Sequence, residues 1–203
     1  MFLCRLTILL VQVLAVITTS ATAQDIPPPP NPRVLVETSE GDFEVELFKT
    51  SAPATVVNFL LYVQAGFYDG TVFHRVIPNQ IAQGGGFTDD GKALTPKVEG
   101  LRGRILNEAT NNLQNSFGTI AMARFAEPHS GRSQFFINLN DNYSFNHKNG
   151  TSAGFGYAVF GRVTEGMNVV RQIGTTRTTS RGDYRDVPNE TIVIRSIRQI
   201  ETR

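Results

Sequence analysis

Residues 73–87 read Phe73-His74-Arg75-Val76-Ile77-Pro78-Asn79-Gln80-Ile81-Ala82-Gln83-Gly84-Gly85-Gly86-Phe87, and they predict two short strands joined by a bend at Pro78-Asn79. Side chains two residues apart on a strand share a face. Phe73 and Arg75 are therefore expected on one side of the first strand. On the second strand, Ile81 and Gln83 form a pair of the same kind.

A third strand-like run repeats this pattern with Gln134 and Phe136. Three strands that each present one apolar and one polar side chain would form an apolar hollow edged by an arginine and two amides. That composition is typical of a site for a small ligand or a peptide. The alternative interpretation is a half-buried strand that carries an exposed arginine.

The segment before this stretch predicts a hairpin followed by a helix. Val34 and Val36 alternate with Leu35 and Glu37, apolar and polar residues alternate over 43–47, and residues 39–42 (SEGD) supply the turn. Helical spacing of apolar residues then predicts a helix over 52–65, with Ser51 as its N-cap and Pro53 in its first turn.

The remaining sequence predicts several short strands and one more helix. The second helix is expected to begin at the cap Thr164 and to end at Gly174. The predicted strands cover 72–77, 81–84, 119–123, 134–139, 157–163 and 191–200. Many short strands with two helices and no strand-helix-strand alternation favour a mainly β fold, a closed antiparallel barrel with helices at its ends.

The N-terminal residues differ in character from the rest of the chain. Arg5 precedes an apolar run over 6–16, and Ala21-Thr22-Ala23 fits a signal-peptidase site. Residues 1–23 are thus predicted to be a cleaved signal peptide, and 24–32 a Pro-rich linker. An uncleaved membrane anchor is the alternative, although the apolar run is short for a span.

Composition supports one domain over 33–203. The chain has 203 residues, of which 40% are hydrophobic and 18% charged, enough for a single core. Its net charge of +1 gives no indication of nucleic-acid binding. The sole cysteine, Cys4, would leave with the signal peptide, so the mature protein would contain no disulfide and no thiolate metal site.

Neither the three histidines nor the glycine run is predicted to carry catalytic or metal-binding chemistry. Strand alternation predicts that His74 faces away from Arg75 as a hydrogen-bonded structural histidine. His129 and His147 lie in predicted loops without ligand spacing, so no metal site is expected. Residues 84–86 lack the Gly-Lys-Ser/Thr of a phosphate-binding loop and predict a tight bend instead.

The sequence resembles the cyclophilin family of peptidyl-prolyl isomerases, in its exported bacterial branch. The similarity extends in order along 33–200. It is carried by residues 54–59 (ATVVNF), 68–78 (YDGTVFHRVIP), 83–85 (QGG), 118–124 (GTIAMAR), 133–138 (SQFFIN) and 157–161 (YAVFG).

The resemblance implies an eight-stranded barrel, capped by two helices, whose outer groove interconverts the cis and trans forms of an Xaa-Pro bond. It implies that Arg75 is the catalytic arginine and that Gln83 orients the substrate carbonyl. Substrate-binding roles are implied for Ile81 and Phe136 around the proline ring, for Ala123, Arg124 and Gln134 beside the preceding residue, and for Phe145 and Tyr157.

Two departures from the family pattern affect the expected pocket. Asn79-Gln80-Ile81 replaces the usual Gly-Phe-Met, so an amide takes the place of an aromatic ring. In residues 143–147 (YSFNH), a simple offset puts Ser144 at the position of the pocket aromatic, whereas a shift of one residue puts Phe145 there. Substrate preference is expected to differ accordingly, and cyclosporin binding is expected to be weak.

The predicted function is a peptidyl-prolyl isomerase, located in the periplasm or secreted, that assists the folding of exported proteins. It would bind proline-containing polypeptides, require no cofactor or metal, act as a monomer, and not be embedded in a membrane in its mature form. The alternative from another functional class is a binding chaperone or scaffold on the same barrel, with low turnover because Gln80 and Ser144 open the pocket.

Overall fold

The computed structural model of the chain describes residues 30–201. Within these residues, two α-helices and one short 3-10 helix (Tyr143–Phe145) accompany twelve strands: α1 is Pro53–Gln64 and α2 is Met167–Gly174. The strands are β1 (Arg33–Thr38), β2 (Gly41–Leu47), β3 (Thr71–Ile77), β4 (Ile81–Gly84), β5 (Phe87–Asp89), β6 (Leu94–Pro96), β7 (Thr119–Met122), β8 (Phe135–Asn138), β9 (Val159–Glu165), β10 (Thr178–Arg181), β11 (Tyr184–Pro188) and β12 (Val193–Ile200).

Eight strands close into one antiparallel barrel in the order β1-β12-β3-β4-β8-β7-β9-β2. Two small hairpins, β5–β6 and β10–β11, lie outside it. The predicted mainly β fold, an eight-stranded barrel with two helices, is confirmed. No helix in residues 30–201 is both long and apolar enough to cross a bilayer.

An aromatic cluster fills the barrel, and both helices pack against it. Phe135 is fully buried, and its ring centroid lies 5.7 Å from that of Phe59 on α1 and 5.6 Å from that of Tyr68. Val170 and Ile173 on α2 join the same buried cluster. Removal of these rings from water supplies a large share of the folding free energy.

Neither predicted helix cap is observed. Helix α1 has Ala52 at its N-cap instead of Ser51, and the carboxylate of Glu108 accepts hydrogen bonds from the backbone N–H groups of Ala54 and Thr55 at 3.0 and 2.8 Å. A side chain distant in sequence thus performs the task predicted for Ser51.

Helix α2 begins at Met167 after Gly166, rather than after Thr164. Pairing of β9 with β2 extends to Glu165 and keeps Thr164 in the strand. Gly166 has a φ of 74°, and a Cβ there would overlap with the backbone of Asp42, so only glycine fits this turn.

The predicted N-terminal boundaries fall mostly outside the described residues, as does the predicted signal peptide over 1–23. The predicted linker over 24–32 needs one correction at its end. The Pro32 carbonyl accepts a hydrogen bond from the Leu47 N–H at 2.8 Å, and the Asn31 side chain donates to Glu46 at 2.9 Å. Residues 31 and 32 therefore belong to the folded domain.

Candidate active site

A groove of about 670 Å³ runs over the outer face of the barrel where β3, β4 and β8 meet. Its volume is in the range of small-molecule and peptide sites. The nine residues predicted to form a site all line it, and they are Arg75, Ile81, Gln83, Ala123, Arg124, Gln134, Phe136, Phe145 and Tyr157. The structure thus brings the nine residues together, whereas their roles stay predictions.

A β-bulge on β3 corrects the expected orientation of Phe73. Phe73 pairs with Gly84 and Arg75 with Gln83, so β3 contains one residue more than β4 over this interval. The extra residue, His74, reverses the alternation. Phe73 consequently packs inside the barrel, with its ring centroid 6.1 Å from that of Phe135, while Arg75 lies on the outer face.

Arg75 shares the groove with Ile77, which the sequence analysis did not include. Ile77 is two residues beyond the bulge and packs in the apolar cluster of Ile81 and Phe136. Ile77, rather than Phe73, is therefore the apolar residue that lies on the same face of β3 as Arg75. A bulge has no reliable single-sequence signal, and alternation counted from Phe73 without it gives the wrong residue.

The Arg75 guanidinium is half-exposed and held from one side. Its Nε lies 3.3 Å from Oδ2 of Asp186 on β11, and 44% of the side chain remains accessible. Among residues 30–201, no protein group accepts a hydrogen bond from its two Nη atoms. Those donors are available to a ligand in the groove.

Gln83 and Gln134 form the amide edge of the groove. Nε2 of Gln83 donates to Oε1 of Gln134 at 2.9 Å, which leaves the second N–H of Gln83 free to donate to a carbonyl group. Gln134 lies directly over Gly86, where a Cβ would overlap with its side chain. The glycine run thus forms the predicted bend and makes room for this amide pair.

Three aromatic rings enclose the apolar end of the groove. The centroid of Phe136 lies 5.9 Å from Phe145 and 5.4 Å from Tyr157, and the last two lie 5.3 Å apart. Ile81 is 5% exposed and packs in the same cluster. Phe145 therefore occupies the pocket while Ser144 is exposed, as the one-residue shift predicts.

Arg124 braces the loop that carries Tyr157. Its guanidinium lies over the Tyr157 ring at 4.9 Å. It also donates to four backbone carbonyls, those of Gly156, Phe125, Ala126 and Ser152, at 2.8–3.0 Å. Because these hydrogen bonds occupy the guanidinium donors, the Arg124 side chain is not available to bind a ligand. Arg124 instead helps to form the wall of the groove.

His74 faces the same outer side as Arg75, contrary to the prediction, because the bulge turns both outward. It is 5% exposed, and its ring lies 4.5 Å from that of Phe87. A structural role stays a prediction, and within residues 30–201 the Nδ1 atom has no hydrogen-bond partner. Burial lowers the pKa of His74 from 6.5 to about 4, because a hydrogen bond to the backbone of Val72 raises the pKa by less than burial lowers it.

This burial makes stability dependent on pH. In the unfolded chain His74 titrates near 6.5, so between pH 7 and pH 5 the unfolded state binds more protons than the folded state, in which the pKa is about 4. We expect that acidification to lower the free energy of unfolding by about 2 kcal/mol. Urea unfolding at both pH values should show this loss in the wild type and not in His74→Gln. The exposed His129→Gln variant is the control, and an equal loss in His74→Gln would contradict the assignment.

Sequence analysis also missed Asp186, which contacts Arg75 but does not itself line the groove. Asp186 lies on β11, and the hairpin β10–β11 was not predicted because its short strands are polar and lack alternation. No group of three or more His, Cys, Asp or Glu residues in the described part of the chain is arranged to hold a metal ion.

Comparison with known proteins identifies the family. Residues 33–199 match the family model described as cyclophilin type peptidyl-prolyl cis-trans isomerase/CLD. Peptidyl-prolyl cis-trans isomerase cyp18 of Streptomyces antibioticus is 49% identical over 163 residues, which cover 80% of this chain and 95% of that protein. Peptidyl-prolyl cis-trans isomerase B of Escherichia coli (strain K12) is 44% identical over 164 residues, which cover 81% of this chain and 97% of that protein.

Solved structures give the same result. A Cryptosporidium parvum cyclophilin type peptidyl-prolyl cis-trans isomerase, crystallised in the presence of the dipeptide Ala-Pro, is similar with a TM-score of 0.68 and 26% identity. The similarity covers 84% of this chain and 99% of that one. By sequence and by fold, the chain belongs to the cyclophilin-type peptidyl-prolyl cis-trans isomerase family, and it is an enzyme of that class.

Proposed function

We propose that Arg75 is the catalytic residue of this isomerase and acts by a hydrogen bond to the prolyl nitrogen. In a planar amide that nitrogen shares its lone pair with the carbonyl, and rotation costs about 18–20 kcal/mol, somewhat less before proline. At the twisted transition state the lone pair becomes localised and can accept a hydrogen bond. A donor that meets it only then stabilises the transition state more than the substrate.

The observation that supports this role is the position of the Arg75 guanidinium at the groove. Arg75 and Gln83 are direct partners in the β3–β4 register, and both line the groove that contains the aromatic rings. A proline ring held by Phe136 and its neighbours would be flanked by the free Nη donors of Arg75. Gln83 would donate its remaining N–H to the substrate carbonyl.

The apolar end of the groove is proposed to hold the proline ring. Phe136, Phe145, Tyr157 and Ile81 offer it an aromatic and aliphatic wall. An acceleration of roughly 10⁵-fold needs about 7 kcal/mol, whereas one charge-assisted hydrogen bond contributes about 1.5–3 kcal/mol. Exclusion of water and fixation of the ring would therefore contribute much of the rest.

The catalytic role of Arg75 is tested by measuring the turnover and the peptide affinity of the Arg75→Ala variant. A residue that donates a hydrogen bond only in the transition state affects turnover and leaves peptide affinity nearly unchanged. The Ala-Pro dipeptide of the C. parvum structure supports a proline ligand here by analogy. The binding-only scaffold requires that Gln80 and Ser144 open the pocket. Gln80 lines the groove, but the Phe145 ring packs against Phe136 and closes the wall at the Ser144 side.

We further propose that the enzyme is exported and accelerates the folding of exported proteins as a monomer. The support is the sequence of residues 1–23, which has the pattern of a cleavable signal. Expression of the full chain in a bacterium tests this proposal. A periplasmic product with a native mass of one chain and an intact mass that begins at Gln24 is expected, and retention of residues 1–23 in the cytoplasm would refute it.

A further inference from the structure

The ion pair between Arg75 and Asp186 uses only one edge of the guanidinium. Oδ2 of Asp186 lies 3.3 Å from Nε, and the Nη atoms remain unpaired within residues 30–201. A carboxylate at Nε restricts the rotation of a long and flexible side chain. It does so without occupying the donors that the proposed mechanism needs.

Two independent β-bulges bring this pair together. The bulge on β3 turns Arg75 to the outer face. On the neighbouring hairpin, Thr179 pairs with Val187 and Arg181 with Tyr184, so β11 contains one residue more than β10 over this interval. The extra residue on β11 falls at Arg185 or Asp186, next to the pair.

The backbone of Asp186 departs from an extended strand at this point. Its φ is 59°, in the left-handed region that aspartate and asparagine tolerate better than most residues. As a result, Val187 packs against the apolar residues beside β3, while Asp186 is directed towards Arg75. A bulge next to an active site commonly redirects one side chain in this way.

We propose that Asp186 is a positioning residue that holds the Arg75 guanidinium in the orientation required for catalysis. The inference rests on the proposed catalytic role of Arg75. The fixed guanidinium loses less conformational freedom on reaching the transition state, so Asp186 contributes to turnover more than to substrate binding. Asp186 does not line the groove, so it would act through Arg75 rather than by contact with the substrate.

A double-mutant cycle tests this inference on an uncharged Ala-Xaa-Pro-Phe peptide, with isomerisation measured by NMR exchange. Asp186→Asn keeps the left-handed backbone and removes the charge. We expect it to lower kcat about three- to fivefold, the range of an exposed ion pair, with little change in KM. In the Arg75→Ala background the same substitution is expected to have no further effect, because its target is gone.

Asp183→Asn, at an exposed acid in the turn of the same hairpin, is the matched control and should keep wild-type kcat. Asp186→Gly removes the side chain without backbone strain and should reproduce Asp186→Asn. Unchanged kcat in Asp186→Asn, or an equal loss with and without Arg75, would overturn the inference while leaving the role of Arg75 intact. Wild-type turnover in Arg75→Ala would instead refute the role of Arg75, and this inference with it.

Discussion

Turnover of a proline peptide is expected to fall about 10- to 100-fold when Arg75 is replaced by alanine, with far less loss of peptide affinity. This range corresponds to the loss of one charge-assisted hydrogen bond of about 1.5–3 kcal/mol in the transition state. The wall of Phe136, Phe145 and Tyr157 that is proposed to hold the proline ring stays intact in this variant. Line-shape analysis of cis-trans exchange, together with titration calorimetry, separates turnover from affinity.

Arg185→Ala is a suitable control for this prediction, since it removes an exposed arginine from β11 beside the ion pair. It should keep the wild-type rate. Arg75→Lys keeps the charge but loses the planar fork, so an intermediate rate is expected. Equal losses of turnover and affinity in Arg75→Ala would make Arg75 a binding residue only. A wild-type rate no faster than the uncatalysed one would favour the binding scaffold.

Elements with regular apolar spacing were predictable from sequence. The hairpin β1–β2 alternates strictly, with Val34, Val36 and Val45 buried, and β4 was predicted with its observed bounds because nothing disturbs its alternation. The two helix caps were not predictable, because Glu108 reaches α1 from a distant loop and β9 retains Thr164. Rules based on neighbouring residues cannot predict hydrogen-bond partners that the tertiary structure brings from distant positions in the sequence.

The candidate site was likewise predictable only in part. Pairs such as Ile81 and Gln83 could be placed on one face from strand geometry alone. The family resemblance added four further lining residues: Ala123, Arg124, Phe145 and Tyr157. The neighbours of Arg75 could not be derived in this way. They depend on the bulge at His74, on a second bulge in an unpredicted hairpin, and on a contact between the two hairpins that joins residues 111 positions apart in the sequence.

Phe135 and Phe136 are adjacent on β8 and face opposite sides of the barrel wall, so alanine substitutions should separate stability from activity. Phe135 is fully buried in the interior cluster, and Phe135→Ala is expected to lower the free energy of unfolding by about 3–5 kcal/mol. Activity per folded molecule should change by less than about twofold, because the groove keeps all its lining side chains. Urea unfolding and the exchange assay on the same samples measure both quantities.

Phe136→Ala should have the opposite profile. Phe136 packs only in the small outer cluster with Ile81 and the rings of Phe145 and Tyr157, so its loss removes less of the core and costs less stability than that of Phe135. Without this ring the proposed proline site loses the central ring of its apolar wall, and kcat/KM should fall about tenfold or more. Phe135→Leu keeps most of the core volume and gives a folded reference if Phe135→Ala does not fold. Two results would contradict this prediction: a loss of stability without a loss of activity in Phe136→Ala, or a loss of activity in a folded Phe135→Leu protein. In either case the effects would not follow the alternation of side chains along β8, and its outer face would not form the proline pocket.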